Sequence, residues 1–212
     1  MKDISTSLDQ IMERVRDDFS SKNAAREKAL PLCREAIRFS ANAIRAVHRH
    51  EFDVARDLAG KAGAQLRVAK LSVLDHPDIY FAGFVHDAQK EYAEASITLA
   101  MVEGGDLPTP ADLDVEYAAY LNGMGEAIGE LRRHLLDTLR TGDTERCEVW
   151  LSAMDEMYGV LVTVDYPDAM TGGLRRTTDN VRGILERTRG DFTMSVQQRR
   201  LEQKIEDFGK KL

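Results

Sequence analysis

Four glutamates are the residues whose type and spacing could do chemistry. Glu91 and Glu94 stand three apart in KEYAEA, and Glu126 and Glu130 four apart in LNGMGEAIGEL. Residues three or four apart share one side of a helix, where like charges repel. Within a turn of Glu91 lie Asp87, Ala88, Glu94 and Ala95, and within a turn of Glu126 lie Asn122, Gly123, Gly129 and Glu130. Neither acid therefore finds a neutralising cation on its own helix. Lys90 reaches only Glu94, in the poorer orientation, while Glu130 has Arg133 and His134. If the two pairs face each other, four carboxylates need a shared counter-charge, and a divalent metal is the simplest candidate. Hard oxygen ligands select Mg²⁺ or Mn²⁺, ions that activate water and stabilise charge in phosphodiester cleavage. The competing reading of each pair is a solvated acidic face.

The elements that must position these acids are helical almost throughout. Amphipathic segments run from about Ser5 to Ser20 and from Asn23 to His50, with Pro31 an expected interruption or kink, and a third covers roughly Phe52 to Leu71. LDHPD places Asp75 as a cap and Pro77 in the first turn of a fourth helix reaching Val102. Its stripe of Phe81, Val85, Ala88, Tyr92, Ala95, Leu99 and Val102 steps by four and three and faces the core. After the loop GGDLPTPADL a fifth helix runs from about Ala111 to Leu139, a sixth from Thr144 to Val162, and one or two more from Leu174 to Leu212. Gly190 is a possible break in that last stretch, whose apolar edge is Leu201, Ile205, Phe208 and Leu212. In the fifth helix Tyr117, Leu121, Met124, Ile128, Leu131 and Leu135 form the main stripe, and the opposite side is small and acidic. Three glycines there cost about 1 kcal/mol each relative to alanine, which points to close approach of another backbone or a ligand.

Two arginine stripes could hold phosphates. Arg34, Arg38, Arg45 and Arg49 fall within an arc of roughly 60° on the second segment, beside His48. Arg175, Arg182 and Arg189 recur every seven residues, with Arg176 and Arg187 nearby. The alternative for both is ordinary surface charge, with Asp179 and Glu186 bridging at helical spacing. Tyr80, Phe81, Tyr92, Tyr117 and Tyr120 are assigned to the core, so base stacking and sequence-specific readout are not indicated.

Composition bounds the setting. The chain has 212 residues and 43% hydrophobic content, enough for one sizeable core and a single domain over 1–212. A formal charge of −7 excludes a uniformly basic nucleic-acid binder but not local patches. Cys33 and Cys147 are far apart and suit a reducing, cytoplasmic setting as packed thiols. No run of 18 uncharged apolar residues suggests a membrane span, and the charged start lacks a signal-peptide pattern. His48, His50, His86 and His134 could join a metal site, yet no Glu-x-x-His pair occurs as a ferritin-like di-iron bundle needs. No convincing nucleophile triad and no phosphate-binding glycine loop is present.

Four segments carry a family resemblance: CREAIRFSANAIRAVHRHEFD at 33–53, QKEYAEA at 89–95, DVEYAAYLNGMGEAIGELRR at 114–133 and DYPDAMTGGLRRTTDNVRGILERTRGDF at 165–192. In this order they resemble the translin family, and particularly its TRAX (translin-associated factor X) branch with the archaeal members similar to it. The resemblance implies an all-α subunit of about seven helices, assembled into a hollow octamer that binds single-stranded RNA or DNA. TRAX-type subunits are metal-dependent endoribonucleases, whereas translin-type subunits bind nucleic acid without the full acidic set. Glu91 and Glu94 match the E-Y-x-E-A motif, and Glu126 and Glu130 match the second acidic pair, where TRAX has aspartate at the first position.

The expectation is a Mg²⁺- or Mn²⁺-dependent endoribonuclease acting on single-stranded RNA. Glu91, Glu94, Glu126 and Glu130 hold the metal, and one of them orients or deprotonates water. The arginine stripes position the backbone. The alternatives are a translin-like scaffold that only binds single strands, and a helical oligomer whose acid pairs are structural or store metal.

Overall fold

The computed structural model describes residues 4–210, all helix, turn and loop with no strand among them. Leu212, the last residue of the expected C-terminal apolar edge, lies outside the described residues. Six long helices carry the architecture: α1 (Ile4–His48), α2 (Phe52–Ser72), α4 (Phe84–Glu103), α6 (Tyr117–Thr141), α7 (Thr144–Leu161) and α9 (Leu174–Gly209). Single turns α3 (Pro77–Tyr80), α5 (Pro110–Leu113) and α8 (Asp168–Thr171) sit in the connections. The all-α fold matches the sequence reading.

Several boundaries differ for identifiable reasons. The first two expected segments are one helix, α1, continuous across Ser20–Asn23 and through Pro31. Lys22 ties that junction together by pairing with Asp18 at 3.0 Å and with Asp78 at 2.8 Å. Ala29, Cys33 and Ala36 pack on both sides of Pro31 against Leu66, Ala69, Val85 and Ala88, so tertiary burial offsets the backbone bond the proline forfeits. The expected fourth helix is interrupted instead at Gly83, whose φ of 103° lies in the left-handed region. Pro77 starts α3 as expected, but the cap position belongs to His76 rather than Asp75. The expected fifth helix is split by Asp114 at φ 52°, which Lys70 Nζ holds through both its carbonyl and its carboxylate. Gly190 does not break α9.

These interruptions expose two residues assigned to the core. Phe81 follows α3 and is 74% exposed, and Tyr117 opens α6 and is 78% exposed. Phe81 lies between helices and Tyr117 in the first turn of α6, ahead of its first buried residue, Ala119, so phase with the buried stripe does not bury either. Tyr120 is buried as expected.

The helix α4 is the axis of the molecule. It packs against α6, α1 and α2, and from Ala93 through Leu99 every residue is buried. The α6 helix in turn packs against α7 and α9. Buried Asn122 fastens this second layer: its Nδ2 donates to the carbonyls of Ala118 and Thr171, and its Oδ1 accepts from Thr177 Oγ1 at 2.6 Å. Arg132 of α6 reaches Thr188 and Asp191 of α9. By contrast, Ile4, Leu8, Ile11, Val15 and Phe19 of α1 and Leu201, Ile205 and Phe208 of α9 lie exposed toward the chain ends.

Candidate metal and nucleic-acid site

Two glycines of α6 set the distance between the acid pairs. A Cβ built on Gly123 would stand 2.6 Å from the Lys90 carbonyl oxygen and 3.0 Å from the Glu94 nitrogen, so α6 lies directly on the α4 backbone. A Cβ on Gly125 would collide with Thr177 of α9, 2.3 Å away. Gly129 meets Ile184 only at an ordinary 3.8 Å. Close helix approach, read from the glycines, thus holds for two of the three. It brings Glu126 across from Glu91 and Glu94.

One carboxylate oxygen from each of Glu91, Glu94 and Glu126 lies within 4.8 Å of the other two. Oxygens that share one ion at about 2.1 Å can stand no more than about 4.2 Å apart, so small side-chain rotations suffice to seat an ion. The all-oxygen donor set fits Mg²⁺ or Mn²⁺. The solvated-face reading of the first pair does not hold, because Glu94 is only 9% exposed. Glu130 stands apart from this trio. His48 Nε2 donates to its Oε2 at 2.5 Å, and Arg133 lies 3.9 Å from the same oxygen.

The charges divide accordingly. Burial, together with the charges of Glu126, Glu91 and Glu130, pushes Glu94 up to about 8, and Lys90 counteracts this only weakly. Burial also raises Glu91, opposed by Lys90 and reinforced by Glu126. The hydrogen bond from His48 holds Glu130 below the ordinary carboxylate range despite burial. Three acids thus crowd together with too little positive charge, and a fourth nearby is supplied with its own partner.

Sequence reasoning missed two residues here. Lys90, expected to reach only Glu94, instead lies 2.7 Å from Glu126 Oε1 and 3.6 Å from Glu91 Oε1. Burial works against its charge, but the Glu126 bond and the surrounding acids hold the ammonium above its ordinary value. The available signal was its position one turn before Glu94, on the side that meets α6. His48 was read as flanking the arginine stripe, but its side chain is 5% exposed and turns inward to Glu130. Its Nδ1 has no hydrogen-bond partner among the described residues.

A cleft of about 290 Å³ opens from Glu94 and Glu126 and is closed by Thr177, Asn180, Val181 and Ile184 of α9. The second arginine stripe belongs to this same stretch of α9, and Arg175, Arg176, Arg182 and Arg189 are all exposed. Arg182 pairs with Glu186 at 3.2 Å, the bridging expected for ordinary surface charge, and Arg189 pairs with Asp155. On α1, Arg34, Arg38, Arg45 and Arg49 are likewise exposed. Arg38 is engaged by Glu35, Arg45 by Asn42 and Arg49 by Glu51. His134 packs edge-on between His50 and Trp150, and burial lowers its pKa.

No family model matches the sequence. An uncharacterised protein of Methanocaldococcus jannaschii is 30% identical over 189 residues, which covers 88% of this chain and 83% of that protein. Among solved structures, an AfC3PO–duplex RNA complex is similar at TM-score 0.82 and 33% identity, covering 89% of this chain and 97% of that one. AfC3PO alone gives TM-score 0.80 at 32% identity, with 89% and 98% covered. At 17% identity, apo-NeC3PO shares the fold, with TM-score 0.77 over 87% of this chain and 96% of that one. With the acid pairs, the close α4–α6 contact and the helical architecture in place, these likenesses identify the chain as a member of the translin/TRAX family of C3PO-like proteins.

Proposed function

We propose that this chain is a Mg²⁺- or Mn²⁺-dependent endoribonuclease that cuts single-stranded RNA. The observation that carries the reading is the convergence of Glu91, Glu94 and Glu126 without enough positive charge to balance them. These three would hold the ion, which when bound supplies an activated water and charge stabilisation at the phosphate. Glu130, kept ionised by His48 and held below the ordinary carboxylate range, is a weak proton acceptor, but it would orient the attacking water by accepting a hydrogen bond from it. It stands beside the trio as the fourth ligand expected from sequence or as the acid that orients the water. The exposed arginine stripe of α9, on a face turned from the cleft toward α7, and the arginines of α1 would neutralise phosphates of the strand beyond the acids.

RNA as the ligand is supported by the likeness to AfC3PO, solved with duplex RNA. The 290 Å³ cleft favours a single flexible strand at the acids, so single strands and duplexes belong in the same assay. Assembly into a homo-oligomer, an octamer in our reading, is supported by the apolar stripes of α1 and α9, which lie exposed on the isolated chain. Two buried thiols, both pushed up to about 11 by burial, suit a cytoplasmic setting. No described helix is long and apolar enough to cross a membrane. One observation favours a second reading, a non-catalytic scaffold for single-stranded RNA or DNA. Lys90 already neutralises part of the acid cluster and lets it persist without metal.

The test is cleavage of labelled single-stranded RNA by purified protein with Mg²⁺, with Mn²⁺ and with chelator, repeated for Glu91→Ala and Glu126→Ala. Metal-dependent cleavage that both variants lose supports the nuclease. Salt-sensitive binding without cleavage selects the scaffold.

A further inference from the structure

Lys90 is a cation that the fold inserts into the acid cluster. Its side chain is 23% exposed, and its ammonium contacts two of the three converging carboxylates, Glu126 at 2.7 Å and Glu91 at 3.6 Å. The contact bridges α4 and α6 where Gly123 lies on the Lys90 carbonyl, so the helix approach that gathers the acids also delivers the lysine to them. A divalent ion needs the same oxygens, at about 2.0–2.1 Å for Mg²⁺. Its repulsion from the ammonium is twice that between two unit charges at the same distance. Lysine carries its charge on a flexible four-carbon stem and can withdraw.

Resting on the reading of this cluster as a metal centre, we propose that Lys90 is a resident counter-ion, which occupies Glu126 and Glu91 while no divalent ion is bound and competes with the ion for them. It keeps the metal-free helices together and raises the ion concentration at which the site loads. A binding site made only of acids would load more readily and would be less stable when empty.

The experiment titrates Mn²⁺ into the full chain under nitrogen and reads the free ion by its EPR signal. Lys90→Met keeps the stem and removes the charge, and should bind Mn²⁺ at least about tenfold more tightly than wild type. Lys90→Arg keeps the charge and should stay within about threefold of wild type. If wild type binds Mn²⁺ and Lys90→Met binds it no more tightly, the counter-ion role is overturned and the metal centre stands. If neither binds, both are overturned. A second measurement needs no substitution: in ¹⁵N-lysine-labelled wild type, saturating Mg²⁺ should shift the Lys90 Nζ signal as the ammonium leaves Glu126. An unmoved signal with Mg²⁺ bound would also overturn the role.

Discussion

Glu94 on α4 and Glu130 on α6 are carboxylates withdrawn from solvent near one centre, and the fold treats them in opposite ways. Glu94 is enclosed with like charges around it and is pushed up to about 8. Glu130 is met by His48 and Arg133 and is held low. Burial raises the pKa of both, so partnership decides the outcome. A carboxylate held low by a dedicated donor strengthens the fold, whereas one crowded by acids weakens it until something arrives to compensate. The central trio is therefore the part of the molecule that folding alone does not explain.

The largest test breaks the trio. Glu94→Ala or Glu126→Ala should weaken Mn²⁺ binding by more than about 100-fold, since even residues that only support metal ligands cost 10–100-fold. The same substitution at Glu130 should cost less in affinity and more in cleavage rate, if it orients the water from the edge of the site. Equal losses of affinity at all three positions would erase the distinction between centre and edge.

Acidity gives the next largest effect. A carboxyl raised from 4.5 to about 8 binds its proton more tightly in the folded chain than in the unfolded one. Its stabilising contribution is complete below about 4.5 and is lost as pH rises toward about 8, on the order of a few kcal/mol in metal-free protein. Glu94→Gln should flatten that decline in denaturant titrations across the window. Wild-type Mn²⁺ affinity should climb over the same range, with proton release visible by calorimetry in buffers of different ionisation enthalpy. A Glu94→Gln variant that declines as steeply as wild type would remove Glu94 as the titrating group.

Gly123→Ala follows. Its methyl would meet the Lys90 carbonyl and the Glu94 nitrogen, which are backbone and can yield only by parting α4 from α6. The expected cost is about 1–3 kcal/mol in urea unfolding, with weakened Mn²⁺ binding because Glu126 retreats from Glu91 and Glu94. Gly129→Ala, where the contact is ordinary, serves as the control and should be neutral or mildly stabilising.

These effects also mark what the sequence made legible. The trio was visible because spacing and the lack of compensating charge are properties of one helix at a time, and the glycines of LNGMGEAIGEL signalled a close neighbour. The helix crossing was not visible. Lys90 looks committed to its own helix until α6 arrives, and His48 looks like part of a basic surface until its inward rotamer is seen. Periodicity also extends past a helix end without warning. Phe81 and Tyr117 keep the phase of a buried stripe although the turns at Gly83 and Asp114 have already released them to solvent.

His48→Ala tests the edge of the site. It removes the hydrogen bond that holds Glu130 low and should cost about 1–3 kcal/mol at neutral pH, as expected for a bond to a charged group. A carboxyl with a depressed pKa contributes its stability above the ordinary value of 4.5 and loses it as pH falls through the lower folded value. The gap between wild type and variant should therefore narrow in acid, the reverse of the Glu94 trend. A gap that persists unchanged at low pH would reduce His48 to packing alone.

The smallest effect belongs to Arg182 and Glu186, a carboxylate with a partner and no burial. Both side chains are about two-thirds exposed, at 67% and 63%, so water screens the pair and Arg182→Ala should leave the urea unfolding midpoint essentially unchanged. Comparison with His48→Ala then separates partnership from burial: similar acid–base pairing with and without enclosure should differ severalfold. The same variant has a second use. If α9 carries phosphates past the cleft, loss of Arg182 should weaken RNA binding evenly across sequences and reduce the slope of log K against log salt by about 0.7, the value for one single-strand phosphate contact. An unchanged slope would leave Arg182 as surface charge bound to Glu186 and move the phosphate track toward Arg175 and Arg176, exposed near the N-terminal end of α9.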